Sequence, residues 1–140
     1  MKESEILLVK RSWRIFREMD PIVIGDAFYS KLFSYNQSLR KMFPHDMHGQ
    51  YQKLMDMVNM IIARLDRLDE LTNEITGMAQ RHVQYGVRPA HYKLVGNALF
   101  WTLEQGLGSD WTVDVKNAWI KCYTILADAM INASSLQEKD

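Results

Sequence analysis

His82 continues a line of apolar residues, Leu68, Leu71, Ile75 and Met78, that recur at steps of three and four. Such steps gather side chains on one face of a helix, so the imidazole is directed inward with them. A polar ring buried without a partner costs free energy. Two chemistries meet that cost: a hydrogen bond inside an ordinary core, or coordination of a metal held in the interior. The pattern alone leaves both open. The other reactive group is the lone cysteine, Cys122. It falls on an apolar helical stripe and reads as a buried, inert thiol.

The elements that must position these groups are helices. No Asn-Gly hairpin and no sustained two-residue alternation marks a strand. Ile6, Val9, Trp13 and Phe16 form a first stripe. Asp20-Pro21 reads as an N-cap followed by a first-turn proline, opening a helix lined by Ile24, Ala27, Phe28 and Leu32. Tyr29 and Phe33 widen its apolar face. A polar break at Ser34 to Gln37 leads to a short helix or turn stopped by Pro44, and His45 to Gly49 reads as a loop. The next helix starts near Gly49 or Gln50 and carries Tyr51, Leu54, Met55, Val58, Ile61, Ile62 and Leu65 inward. A charged corner, Asp66 to Glu70, precedes the helix of His82, and Gly86 ends that helix. Pro89 opens a helix lined by Tyr92, Val95, Leu99 and Leu103. Asp110 reads as the N-cap of a last helix running from Val115 to Ala133. Ser134 to Asp140 is a polar tail expected to fray. The predicted architecture is all-α, about six longer helices plus a short one, with a core over residues 4–133 of a single domain spanning 1–140.

Bulk composition removes several function classes. Hydrophobic residues make up 47% of the 140, enough for one core. Lys+Arg 17 balances Asp+Glu 17, so no basic surplus points to nucleic acid or an anionic membrane. A single cysteine precludes an internal disulfide and suits a reducing compartment. The charged N-terminus lacks a signal-peptide core, and the most apolar run, Met57 to Ala63, is too short to span a bilayer. A soluble cytoplasmic protein is the expectation.

The order and spacing of several short segments add a resemblance. These are Phe28-Tyr29 with Leu32-Phe33, Met42-Phe43-Pro44, Gln50 with Leu54, and Arg81-His82 through Tyr85-Gly86-Val87. His91-Tyr92 with Val95-Gly96, and Trp119 with Tyr123, complete the set. Together they resemble the bacterial single-domain globins, in the branch that includes flavohaemoglobin haem domains. The resemblance implies the globin fold around haem b. It makes His82 the proximal iron ligand through Nε2, with Nδ1–H directed to a carbonyl one turn back, that of Met78. It sets Phe43 flat against the porphyrin, with Val87, Tyr92 and Val95 also lining the cofactor. Lys53 would meet a propionate, with Arg88 and His91 as weaker candidates. On the distal side it implies Tyr29 and Gln50 as donors to a diatomic ligand, and Leu54 as the residue that closes the pocket. His45 and His48 read as surface histidines, or as alternative sixth ligands if their loop moves.

The function implied is tight oxygen binding with slow release, for storage, transport or scavenging. The alternative is nitric oxide dioxygenation served by a separate reductase, since the chain ends where the family's reductase domain would begin. A haem-free globin-like interaction module is a third reading. The family branch supports its proximal histidine with a tyrosine and a glutamate. Here the tyrosine is Tyr92, but the glutamate position holds Ser134, and Glu138 lies a turn later. Loss of that carboxylate would weaken electron push onto iron and with it peroxidase-like chemistry. Oligomeric state is left open.

Overall fold

Six α-helices carry the chain: α1 (Glu3–Arg17), α2 (Pro21–Tyr35), α3 (His48–Ala63), α4 (Thr72–Gln84), α5 (Pro89–Leu107) and α6 (Val113–Glu138). Short 3-10 helices at Gln37–Met42, Leu65–Leu71 and Gly108–Asp110 join them. These elements come from a computed structural model that describes residues 1–138, with side chains through Ser134. There is no strand among the described residues.

The helix boundaries have local causes. Asp20 accepts a hydrogen bond from the Ile22 amide at 2.9 Å, and Pro21 occupies the first turn, where its missing N–H is not needed. Gly86 ends α4 with a φ of 89°, a conformation that disfavours any residue with a Cβ. Pro89 opens α5. The N-cap expected at Asp110 is instead Thr112, whose Oγ1 accepts from the Val115 amide at 3.2 Å, because Asp110 is drawn into the preceding 3-10 helix. α6 runs on past Ser134 into the polar tail. Its backbone stays helical to Glu138, while Lys139 and Asp140 lie outside the described residues. The charged corner is itself ordered as the 3-10 helix Leu65–Leu71, so Leu68 and Leu71 sit there rather than on α4.

α2 lies against α3 and α5, while α6 backs onto α1 and α4. The α2–α3 crossing is close because Gly25 offers no side chain: a Cβ there would run into the Tyr51 ring. The largest core joins Val9, Trp13 and Phe16 of α1 to Leu103 and Leu107 of α5 and to Trp119 and Cys122 of α6. Its two indoles are satisfied. Trp13 donates to Asn59 Oδ1 at 2.6 Å and Trp119 to Ser12 Oγ at 2.8 Å. Ser12, one of the few buried polar residues, is explained by that bond. Two further apolar clusters flank this core. One gathers Phe28, Tyr29, Leu32, Leu39, Met47 and Ala98, and the other Ile61, Leu71, Ile75 and Met78. They share no member, and each carries part of the site.

Candidate functional site

The proximal half is built on α4. His82 lies one turn after Met78, so its ring can reach back along the helix. Its Nδ1 is 2.6 Å from the Met78 carbonyl oxygen. A carbonyl only accepts, so Nδ1 carries a proton, and in the neutral tautomer the lone pair is then on Nε2. That tautomer offers one nitrogen donor, oriented by the Met78 bond. Its other aromatic neighbour is Tyr85, with centroids 6.2 Å apart.

The distal half is built on α2, α3 and the turn between them. Tyr29 is 5% exposed, and burial pushes its phenol up to about 12, an effect the Gln50 hydrogen bond partly offsets. Gln50 Nε2 donates to the Tyr29 hydroxyl oxygen at 3.1 Å. The amide occupies an acceptor site of that hydroxyl and leaves its own O–H to be donated elsewhere. Around Tyr29 stand Phe28 at 4.9 Å, Phe43 at 5.3 Å, Tyr51 at 5.8 Å and Phe33 at 6.0 Å between ring centroids. Edge-on and offset arrangements of this kind fix ring orientation as well as bury area. Leu54 packs at the edge of this cluster, and with Phe28, Val58 and Leu99 it lines a small apolar cavity. Val95 packs there from α5.

Tyr92 sits where α5 approaches the end of α6. Its hydroxyl is buried with no hydrogen-bond partner among the described residues. Burial raises its pKa, and the Ser134 hydroxyl is near enough to moderate the rise. Ser134 makes no hydrogen bond to it, however, and donates instead to the Met130 carbonyl at 2.8 Å. The Tyr92 carbonyl accepts from the Tyr123 hydroxyl. The side chain of Glu138 lies outside the described ones.

Tyr29, Gln50, Phe43, Leu54 and Val95 thus share one neighbourhood, and His82 and Met78 another. Val87 is half-buried beyond Gly86, and its amide donates to the His82 carbonyl at 2.9 Å. Lys53 is exposed on α3, and Arg88 is exposed at the start of α5. His91 spends Nδ1 accepting from the Arg88 amide at 3.0 Å, so it serves as a helix cap. His45 and His48 are exposed. Arg40, which sequence reasoning passed over, hydrogen-bonds the carbonyls of Phe43, Pro44 and His45. No periodicity signals such a bond, because its acceptors are backbone atoms.

Among the described residues no three His, Cys, Asp or Glu side chains converge as a donor set for a bare metal ion. A metal held by His82 would have to bring most of its ligands with it, as iron in a porphyrin does. One oriented imidazole nitrogen, and a hydrogen-bonding pair set in aromatic walls, fit that group.

Comparison with known proteins agrees. The family model described as globin matches residues 26–130. A flavohemoprotein of Chromobacterium violaceum is 32% identical, over 94% of this chain and 33% of its own length. A globin-like protein of Aquifex aeolicus is 29% identical, over 94% of this chain and 92% of its own. The chain spans about a third of the length of the curated flavohemoproteins it matches. The solved structure of a bacterial globin from Campylobacter jejuni superposes with a TM-score of 0.87 at 19% identity, covering 99% of this chain and 100% of that one.

Proposed function

Because this chain belongs to the globin family, whose members use haem to bind small diatomic ligands, we propose that it is a haem b protein that holds dioxygen tightly and releases it slowly. In this reading His82 supplies the proximal nitrogen through Nε2. Phe43, Met78, Val87, Tyr92 and Val95 line the cofactor, and Lys53 meets a propionate. Tyr29 and Gln50 form the distal donor pair, and Leu54 excludes water. When bound, the haem would supply the iron centre for the diatomic ligand.

The observation that carries the proposal is the Gln50–Tyr29 hydrogen bond. It orients a buried phenol whose proton remains available, which is the arrangement needed to stabilise partial negative charge on a small guest in a dry pocket. A hydrogen bond to a charged group contributes about 1.5–3 kcal/mol. Replacing Tyr29 by Phe should therefore speed oxygen release roughly ten- to a hundredfold, at about 1.4 kcal/mol per decade. Stopped-flow dissociation measures this directly, and an unchanged rate would remove Tyr29 from the role. Absorbance spectra of ferric, ferrous and oxygenated protein test the cofactor. A chain that shows no Soret band after mixing with haemin would instead be the haem-free module.

The flavohemoprotein relatives favour a second reading, nitric oxide dioxygenation with electrons from a reductase. Repeated consumption of nitric oxide with reductant present would support the enzyme. A single stoichiometric burst would support the oxygen-binding protein.

A further inference from the structure

We propose that Arg40 is the positioning residue of the distal wall: its guanidinium holds the segment from Phe43 to His45 by three backbone carbonyls and so fixes Phe43 against the Tyr29 cluster. The proposal rests on the haem-binding reading for its consequence, though not for its geometry.

Arg40 Nη1 is 3.3 Å from the Phe43 carbonyl and 2.8 Å from that of Pro44, and Nη2 is 2.9 Å from that of His45. Residues 43–47 lie between the 3-10 helix Gln37–Met42 and α3 and belong to no helix. The Met47 carbonyl accepts from the Tyr51 amide at 3.0 Å, but those of Phe43, Pro44 and His45 have no such ladder to join, and Pro44 has no amide to offer. A guanidinium is suited to this gap because it presents several donors in a rigid plane and stays charged at every working pH. The same cation lies 5.8 Å from the Phe33 ring centroid, and Phe33 is 5.5 Å from Phe43. Arg40 therefore holds Phe43 both through its backbone and through the ring packed beside it. The far end of the segment is fixed separately. Met47 is buried, and Asp46 Oδ1 accepts from the His48 amide at 3.0 Å where α3 begins. With both ends fixed, the first turn of α3, which carries Gln50, has a set origin. His45 is held by its carbonyl with its side chain exposed.

The test uses Arg40→Gln and Arg40→Lys, each with Phe43 intact and with Phe43→Leu. Amide exchange over residues 43–47 is read on the purified protein, and haem release is read by transfer to excess apomyoglobin. Arg40→Gln should raise exchange in that segment while leaving α1 and α6 unchanged. It should speed haem release about tenfold with Phe43 present and about twofold or less without it, since residues acting through one another are non-additive. Arg40→Lys should fall between, because an ammonium cannot span three carbonyls at once. Unchanged exchange at 43–47, or equal acceleration in the two Phe43 backgrounds, would overturn the proposal. If the unsubstituted protein takes up no haem, the functional reading fails, and the exchange measurement still decides whether the clamp exists.

Discussion

At the scale of single residues, two buried phenols differ in what their hydroxyls meet. Tyr29 accepts a hydrogen bond and retains a proton to give. Tyr92 is buried with its hydroxyl unpaired among the described residues, a state that typically costs about 1–3 kcal/mol. The nearby Ser134 hydroxyl donates to its own helix, at the Met130 carbonyl. Tyr29 also gives a pH signature. Its phenol ionises near the ordinary 10 in an unfolded chain and at about 12 when folded, because burial disfavours the phenolate. The folded state therefore holds the proton longer. This group leaves stability unchanged below pH 10 and lowers it as pH rises from 10 toward 12. Burial raises Tyr123 as well, so ultraviolet titration should find more than one late phenol; Tyr29→Phe should delete one of them and Gln50→Leu should move that one later still, since the amide hydrogen bond favours the phenolate. A Gln50→Leu protein in which that phenol titrates earlier would contradict the pairing.

At the scale of elements, the Tyr29–Gln50 pair depends on how closely α2 and α3 approach. Gly25 permits that approach, and Tyr51, which presses on it, also stacks on Tyr29 with an interplanar angle of 27°. Gly25→Val should force the helices apart and destabilise the fold by about 1–3 kcal/mol, the usual range for overpacking. Chemical denaturation measures the loss, and oxygen release should quicken with it. An equally stable Gly25→Val protein would mean that the helices accommodate the side chain without parting. The helices and their inward faces were legible in sequence because periodicity reports burial directly. Asp20-Pro21, Gly86 and Pro89 were legible because each acts through its own backbone geometry. What was not legible was decided by competition between neighbours. Asp110 is a good cap in isolation but lost to Thr112 once Gly108–Asp110 wound into a 3-10 helix. Leu68 and Leu71 continue the spacing of Ile75 and Met78, yet they belong to a different kind of helix. Arg40 was invisible for a related reason, since its partners are carbonyls that any residue could supply. The inward placement of Tyr29, Gln50 and Leu54 follows from helical spacing. Their convergence on one another needed the α2–α3 crossing.

At the scale of the whole molecule, the interior is one large core flanked by two smaller clusters that share no residue. The large core ties α1, α5 and α6 together with indoles and aliphatic side chains, and takes in Ile24 of α2 and Met55, Val58 and Ile62 of α3. α4 packs chiefly on α6 and lies outside the large core. Its buried residues are Ile75, Met78 and Ala79, and His82 is only partly covered. A cofactor gripped by His82 and walled by Phe43 would join the His82 and Tyr29 clusters and contribute its binding free energy to the elements that touch it. Ligand that binds only the folded state stabilises by about 1.4 kcal/mol for each tenfold excess over Kd. Stability should then be distributed unevenly, with local opening easiest where buried apolar contacts are fewest. Amide exchange compared with and without haem should show α4 and residues 43–47 gaining protection by a factor of ten or more, while the α1, α5 and α6 segments of the large core change little. Uniform protection across all six helices would mean that the cofactor stabilises the fold as one unit. Protection confined to α1 and α6 would mean that it binds somewhere other than between His82 and the Tyr29–Gln50 pair.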